Sequence, residues 1–324
     1  MRKSSDASSE SDRKDHRISA KFVLDRSGTV DAVRLRGMKR WNLIIDIERC
    51  NGCFNCFLAA KDEYVGNEFA GYSAAQPLHG HRWIDVQVHE RGTAPAMDLT
   101  YVPVTCNHCD RAPCVEAGQG CVQKRDDGIV IIDPVRAKGR KDLVGSCPYG
   151  AIWWNEEQQL PQHWTFDAHL LDQGWTQPRC AQVCGTGAIT ALNVHDSEMK
   201  SLALRENLKV MHPEFSTQPR VYYRNLDRVM TSLEAGTVVA NHDGVVDVVA
   251  DARVELLRGD RSLSVAATDA FGEFRLEISS DEAGEVECVI SAKDMCPLRE
   301  IFRIKGRFHN IGIVELRRLQ RGII

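Results

Sequence analysis

Short apolar runs separated by polar and turn-forming residues dominate the chain and predict many short strands. In the first two thirds, the runs 41–47, 83–89, 129–132 and 152–154 have the length and the β-branched and aromatic content of strands. The segment 54–64 follows a group of closely spaced cysteines and predicts a short helix. Long irregular stretches separate these elements, so we expect a small aliphatic core in this region and an additional source of stability such as bound metal.

The pattern changes near residue 237, where apolar runs recur every ~8–12 residues with Gly, Asp and Asn between them. The strands predicted in this part are 238–239, 245–249, 252–257, 263–266, 273–278, 285–290, 301–304 and 311–316. Such regular short strands are typical of an all-β sandwich. Two isolated cysteines in this part, Cys288 and Cys296, are interpreted as packing residues.

The first 40 residues differ in charge from the rest of the chain. They hold 11 Lys or Arg and 6 Asp or Glu, a net charge of +5, whereas the remaining residues carry a net charge of −9. Residues 1–17 are polar and predict disorder, and 22–35 predict a hairpin. This extension, 1–40, is interpreted either as a solubilising tail with an edge hairpin or as a basic arm that docks on an acidic partner.

Charge and hydropathy exclude two broad classes of protein. The overall net charge of −4 argues against a polybasic nucleic-acid binder. No apolar run approaches the roughly 18–20 residues that a membrane-spanning helix needs, and no secretory-type apolar segment follows the first residues. We therefore expect a cytoplasmic protein without a transmembrane segment. In that reducing setting, clustered cysteines bind metal more often than they form disulfides.

Ten of the twelve cysteines lie between Cys50 and Cys184. Two triplets stand out, together with two distant cysteines: Cys50, Cys53 and Cys56; Cys106, Cys109 and Cys114; then Cys147, which precedes Pro148, and Cys184. Two-residue spacing lets successive thiolates hold one corner of a cubane cluster, and a distant Cys-Pro often closes a fourth position. The eight cysteines therefore predict two 4Fe–4S clusters.

Structural zinc is the competing interpretation, but zinc uses two pairs of ligands per site rather than a triplet and a remote cysteine. Spacing alone leaves open which distant cysteine completes which triplet. Two cysteines of this region are outside the eight: Cys121, which is interpreted as a packing thiol, and Cys180.

Several motifs around these cysteines resemble a known family. They are Gly-His-Arg-Trp at 80–83, Glu-Arg-Gly-Thr at 90–93, and the stretches 106–115, 127–134, 147–150, 154–157, 168–172 and 219–225. With them the chain resembles the iron–sulfur subunits of molybdopterin oxidoreductases of the dimethyl-sulfoxide-reductase type. The resemblance is closest to the small subunits of pyrogallol–phloroglucinol transhydroxylases and resorcinol hydroxylases, and it covers about 41–320.

The resemblance implies the ligand sets and the fold. Cys184 would complete the first triplet, and Cys147 the second. The expected fold class is α+β, with a loop-rich, bacterial-ferredoxin-like 4Fe–4S domain at 41–232. An all-β sandwich of the transthyretin or immunoglobulin type would follow at 233–324.

The chain departs from the family pattern at a third cluster. Ala60 stands where the family has a cysteine, and Trp164 and Asp167 stand where it has a Cys-x-x-Cys pair, so that only Cys180 remains. One thiolate cannot hold a cubane, and we predict that this cluster is absent and that Trp164 and its neighbours fill the volume.

The expected function is that of a non-catalytic electron-transfer subunit. The resemblance implies a large partner subunit that holds a molybdenum–pterin cofactor and hydroxylates, or transfers hydroxyl groups between, polyhydroxylated aromatics. An iron–sulfur subunit of another molybdenum or tungsten oxidoreductase is the first alternative, and a zinc-stapled structural adaptor is the second. No motif of a substrate pocket, phosphate loop or nucleophilic triad is present in the sequence.

Overall fold

The computed structural model describes residues 37–93, 96–242, 244–279, 282, 284–304 and 308–319. The hairpin predicted at 22–35 lies outside the described residues. The α-helices are α1 Asn55–Tyr64, α2 Pro113–Ala117, α3 Ala168–Asp172, α4 Arg179–Gln182, α5 Asp196–Arg205 and α6 Asp227–Met230. The strands are β1 Lys39–Asp46, β2 Ile84–Thr93, β3 Ala96–Thr105, β4 Val122–Lys124, β5 Val130–Ile132, β6 Trp153–Asn155, β7 Leu160–Gln162, β8 Ile189–His195, β9 Val221–Arg224, β10 Thr231–His242, β11 Val245–Val248, β12 Arg253–Arg258, β13 Arg261–Ala267, β14 Glu273–Ser279, β15 Gly284–Ser291, β16 Leu298–Ile304 and β17 Phe308–Leu316.

A three-stranded sheet organises the cysteine-rich region. Its order is β8-β1-β9, with β1 antiparallel to β8 and parallel to β9. The central strand β1 is buried along its second half, as expected for a strand covered on both faces. Three two-stranded ribbons, β2-β3, β4-β5 and β6-β7, complete this region.

The apolar core of this region is larger than the sequence indicated. Leu43 and Ile45 of β1 pack in one cluster with Trp83, Trp164 and Tyr223, which come from widely separated segments. A second, smaller cluster lies around β4 and β5. The expectation of a small aliphatic core was therefore wrong, because long-range pairing assembles buried residues that lie far apart in the sequence.

The last part of the chain forms two four-stranded sheets. One contains β11, β10, β14 and β17, and the other has the order β13-β12-β15-β16. Alternate residues of β14 and β15 point into a separate core that contains Val254, Phe274 and Cys288. The eight strands predicted here are confirmed, with boundaries that differ by up to seven residues. Cys288 is the buried packing residue that we expected, whereas Cys296 is exposed, so the packing role predicted for it was wrong.

Candidate metal centres

The first triplet and Cys184 line one cavity, which we call the first thiol cavity. Its wall includes Val86 and Ile189. Cys50, Cys53 and Cys56 reach it from the loop before α1 and from the first turn of that helix, and Cys184 follows α4. The backbone N–H of Ile189 donates to the Cys184 sulfur at 3.4 Å. The fold thus brings together four thiols that span 135 positions of the sequence.

The second triplet and Cys147 line another cavity, the second thiol cavity. Its cysteines lie before α2, within α2 and at the end of a 3₁₀ turn at Lys141–Ser146. Val130 and Ile152 contribute apolar wall, and two histidines, His108 and His163, also line it. Each cavity therefore contains one complete triplet and one distant cysteine.

Some of the thiols in each cavity resist ionisation. Burial is the main cause that raises the pKa of Cys56 and of Cys114 to about 12, and the neighbouring thiols raise it further. Burial also raises the pKa of Cys50 and, well above the ordinary value, that of Cys106. Four packed thiolates would repel one another in this setting, whereas iron bound to all four sulfurs would offset that repulsion. The donor set fits a cluster of positive metal ions, whose binding would displace thiol protons.

The two triplets share a backbone conformation. Gly52 and His108 each precede the second cysteine of their triplet, and their φ angles are +69° and +44°. At Gly52 a Cβ atom would lie 2.5 Å from the Tyr101 ring, so no side chain fits there. The second triplet instead tolerates a left-handed histidine, a conformation uncommon outside glycine.

Lys124 fixes the backbone of the second triplet. Its Nζ donates to the carbonyl oxygens of His108 at 2.6 Å, Cys109 at 3.0 Å and Gly128 at 2.7 Å. An ion pair of 3.0 Å with Asp110 balances its charge. The sequence gives no sign of this role, because the local pattern around Lys124 does not show that β4 contacts the loop of the second triplet.

The positions that are predicted to mark a missing cluster hold closely packed side chains. Trp164 is fully buried and stacks on Phe166 with ring centroids 4.8 Å apart. Its Nε1–H donates to Asp167 Oδ1 at 3.1 Å, the Tyr64 hydroxyl donates to the same oxygen at 2.7 Å, and the Arg179 backbone N–H donates to Oδ2 at 2.7 Å. These side chains form a closely packed unit that we call the aromatic plug, defined as Tyr64, Trp164, Phe166 and Asp167.

The plug contacts the surroundings of both thiol cavities. Cys56, Ala60 and Cys180 belong to the same buried cluster as Trp164, and Cys184 packs against that cluster. On the other side, the rings of His108 and Trp164 meet edge to face with centroids 5.6 Å apart. The positions 60, 164, 167 and 180 are thus grouped between the walls of the two cavities.

Cys121 belongs to neither thiol cavity. It is buried, and its S–H donates to the carbonyl oxygen of Gly118 at 2.9 Å. This is the packing role that the sequence predicted. Among the described residues, no group of three or more His, Cys, Asp or Glu side chains is arranged to hold a single metal ion. In the same part of the chain, no helix is long and apolar enough to cross a membrane.

Comparisons with known proteins relate this chain to iron–sulfur proteins. The family model of the 4Fe–4S dicluster domain matches residues 97–194. The pyrogallol hydroxytransferase small subunit of Pelobacter acidigallici is 42% identical over 244 residues, which cover 74% of this chain and 87% of that relative. The iron–sulfur subunit of the arsenate respiratory reductase of a Shewanella species is 26% identical over 235 residues, or 57% of this chain and 95% of that protein.

The solved structure of Klebsiella pneumoniae 5-hydroxyisourate hydrolase aligns with 26% of this chain and 90% of its own, at 13% identity and a TM-score of 0.22. A similarity of that size does not assign a fold.

Proposed function

This chain belongs to the family of iron–sulfur subunits that includes the small subunit of pyrogallol hydroxytransferase, and on that premise we propose that it transfers electrons through two 4Fe–4S clusters. We propose Cys50, Cys53, Cys56 and Cys184 as the ligands of cluster one. Cys106, Cys109, Cys114 and Cys147 would hold cluster two. The observation that carries this proposal is the gathering of four thiols, one triplet and one distant cysteine, around each of two separate cavities.

We further propose that the third cluster of the family is absent. The fully buried indole of Trp164 and the three hydrogen bonds to Asp167 support this. A cubane at this place would have to displace a packed side chain and leave the donors to Asp167 unpaired. Cys180 would be the single remaining sulfur.

The catalytic site would lie in a large partner subunit with a molybdenum–pterin cofactor. Polyhydroxylated aromatics are the proposed substrate class, since a relative with 42% identity is named for pyrogallol. In this chain the thiol cavities would supply cluster binding, and the partner would carry out hydroxylation or hydroxyl transfer. A cytoplasmic location stays a prediction.

The domain division also stays a proposal. The proposed parts are an extension at 1–40, an iron–sulfur domain at 41–232 and a β domain at 233–324. Separate apolar cores on the two sides of residue 232 support the division between the last two parts. The two facing four-stranded sheets are compatible with a transthyretin-like or immunoglobulin-like sandwich.

Iron analysis of the anaerobically purified chain tests the proposal. We expect about eight iron atoms per chain, or four per cluster. Cys109→Ala removes a ligand of cluster two and should leave about four. The matched control is Cys121→Ala, which removes a buried thiol outside both cavities and should keep about eight.

Three results would contradict the assignment. Unchanged iron in Cys109→Ala would exclude that residue as a required ligand. About twelve iron atoms in the unmodified chain would show that the third cluster is present. Stoichiometric zinc without iron or sulfide would favour the structural adaptor instead.

A further inference from the structure

The two thiol cavities differ in one kind of side chain. The wall of the second contains His108 and His163, whereas that of the first contains no histidine among the described residues. Both imidazoles are buried, with exposed fractions of 1% and 3%. The first triplet has Gly52 where the second has His108, so one of the two histidines lies at a position that is glycine in the first triplet.

The protonation state of His108 follows from its contacts. The backbone N–H of Val130 donates to His108 Nδ1 at 3.1 Å, so Nδ1 carries no proton. The proton of the neutral ring must then lie on Nε2. Among the described residues, this buried Nε2 has no hydrogen-bond acceptor. A buried donor without an acceptor destabilises the folded state by about 1–3 kcal/mol. Its presence here therefore needs a physical explanation.

Neighbouring rings orient the imidazole without pairing its proton. His108 meets Trp164 and Phe166 edge to face, with centroids 5.6 and 5.3 Å apart. The His163 ring lies 5.8 Å away at a tilt of 57°, and no hydrogen bond joins the two imidazoles. Phe166 and Trp164 thus restrict rotation of the ring, while Val130 fixes its tautomer.

The backbone at His108 adds an independent observation. Its φ of +44° is a left-handed conformation, which costs a non-glycine residue of the order of 1 kcal/mol or more. Gly52 adopts the same conformation in the first triplet without that cost. The second triplet therefore retains an imidazole at a strained position where glycine would fit more easily.

We propose that His108 donates its Nε2–H to a sulfur atom of cluster two and thereby raises the reduction potential of that cluster. Hydrogen bonds to cluster sulfurs stabilise the reduced, more negative state. The acceptor would be an inorganic sulfide or a cysteine sulfur of the cluster, because Nε2–H has no acceptor among the described residues. This inference rests on the proposed function, because it requires cluster two. His108 is a tuning residue and takes no part in substrate chemistry.

The test is a redox titration of the full-length, iron-loaded chain, followed by EPR. His108→Gly copies the residue of the first triplet and relieves the backbone strain. We expect the reduction potential of cluster two to fall by about 59 mV for one electron. At a fixed applied potential, the ratio of oxidised to reduced cluster two then rises about tenfold. The potential of cluster one should not move. The signal of cluster two is identified as the one that is lost in Cys109→Ala.

The matched control is His81→Gln, which changes a buried histidine that lines neither thiol cavity and bonds to the Trp154 carbonyl oxygen. It should leave both potentials unchanged. His108→Asn tolerates the left-handed backbone and retains a side-chain N–H, and it should restore part of the lost potential.

Several outcomes would overturn the inference. Eight iron atoms with an unchanged cluster-two potential in His108→Gly would show that Nε2–H faces an aromatic ring instead of sulfur. Equal shifts of both clusters would indicate a general structural change. If the variant loads only four iron atoms, the test is pulsed EPR of the unmodified chain labelled with ¹⁵N-histidine. We expect cluster two to show a coupling to a histidine nitrogen and a coupling to an exchangeable proton. If both couplings are absent, the hydrogen bond is contradicted. An unmodified chain without eight iron atoms would instead contradict the proposed function.

Discussion

The thiol cavities and the aromatic plug lie side by side in the same region of the fold, yet they are built in opposite ways. Each cavity leaves open space that four sulfurs line. The plug fills its volume with an indole, a phenyl ring and a carboxylate that accepts three hydrogen bonds. The comparison teaches that loss of cysteine ligands has to be followed by repacking, because a buried void and an unpaired polar group are both costly.

The strongest way to break this comparison is to restore the ligands of the third site. The triple variant Ala60→Cys, Trp164→Cys and Asp167→Cys recreates four thiols with Cys180, and it removes the indole. We expect iron to rise from about eight to about twelve atoms per chain. Iron and sulfide analysis after anaerobic reconstitution checks the count.

The single variant Ala60→Cys is the control, and it should keep about eight iron atoms because two thiols cannot hold a cubane. A folded triple variant that retains the signals of clusters one and two but gains no iron would show that the plug is not a former cluster site.

Truncation of the plug should have the next largest effect. Trp164→Ala removes a fully buried indole, and such changes cost about 3–5 kcal/mol because a cavity remains. The midpoint of anaerobic thermal unfolding should fall strongly, while the purified protein still holds about eight iron atoms.

Trp175→Ala provides the comparison, since that indole is 39% exposed and should contribute much less. Equal decreases for the two variants would contradict a packing role for Trp164.

A smaller effect concerns the pH dependence of the plug. Burial raises the pKa of Asp167, although its hydrogen bonds from Tyr64, Arg179 and Trp164 oppose the increase. The folded state therefore holds the Asp167 proton more tightly than the unfolded state. The stabilisation that comes from the raised pKa of Asp167 is complete below the pKa of the unfolded state, about 3.9. It is lost as the pH rises through the higher pKa of the folded state. The advantage of the unmodified chain over Asp167→Asn should decrease as the pH rises above the unfolded pKa of about 3.9.

Asp172 is a control of opposite sign. Arg125 lowers the pKa of this carboxyl, so its contribution is lost as the pH falls. Thermal midpoints of Asp167→Asn and Asp172→Asn, measured against the unmodified chain across the same pH range, check both directions. An advantage over Asp167→Asn that grows with pH would contradict the buried-acid account.

Local elements could be predicted well where the hydrophobic pattern was strong. The run 41–47 corresponds to β1, and 54–64 corresponds to α1, within a few residues. The strand β3 was missed because Asp98 and Pro103 interrupt its apolar pattern, and its pairing with β2 is what stabilises it. Propensity is a weak guide where the partner strand decides the outcome.

The grouping of functional residues was only partly predictable. Spacing identified the triplets, and the resemblance paired Cys184 with the first and Cys147 with the second. His163 and Lys124 could not be found in this way, because each acts on the second cavity from a segment distant in sequence. A cavity wall is a long-range property that no local pattern records.

The sequence by itself determined the number and types of potential ligands, the presence of residues other than cysteine at positions 60, 164 and 167, and the change to regular short strands near residue 237. These depend on residue identity and local periodicity, which the chain carries directly. Only the tertiary structure decided that the plug lies between the two cavities, that Asp167 is satisfied by three donors and that His108 Nε2–H has no acceptor among the described residues. Those properties depend on contacts between residues up to about a hundred positions apart, and such contacts exist only once the chain is packed.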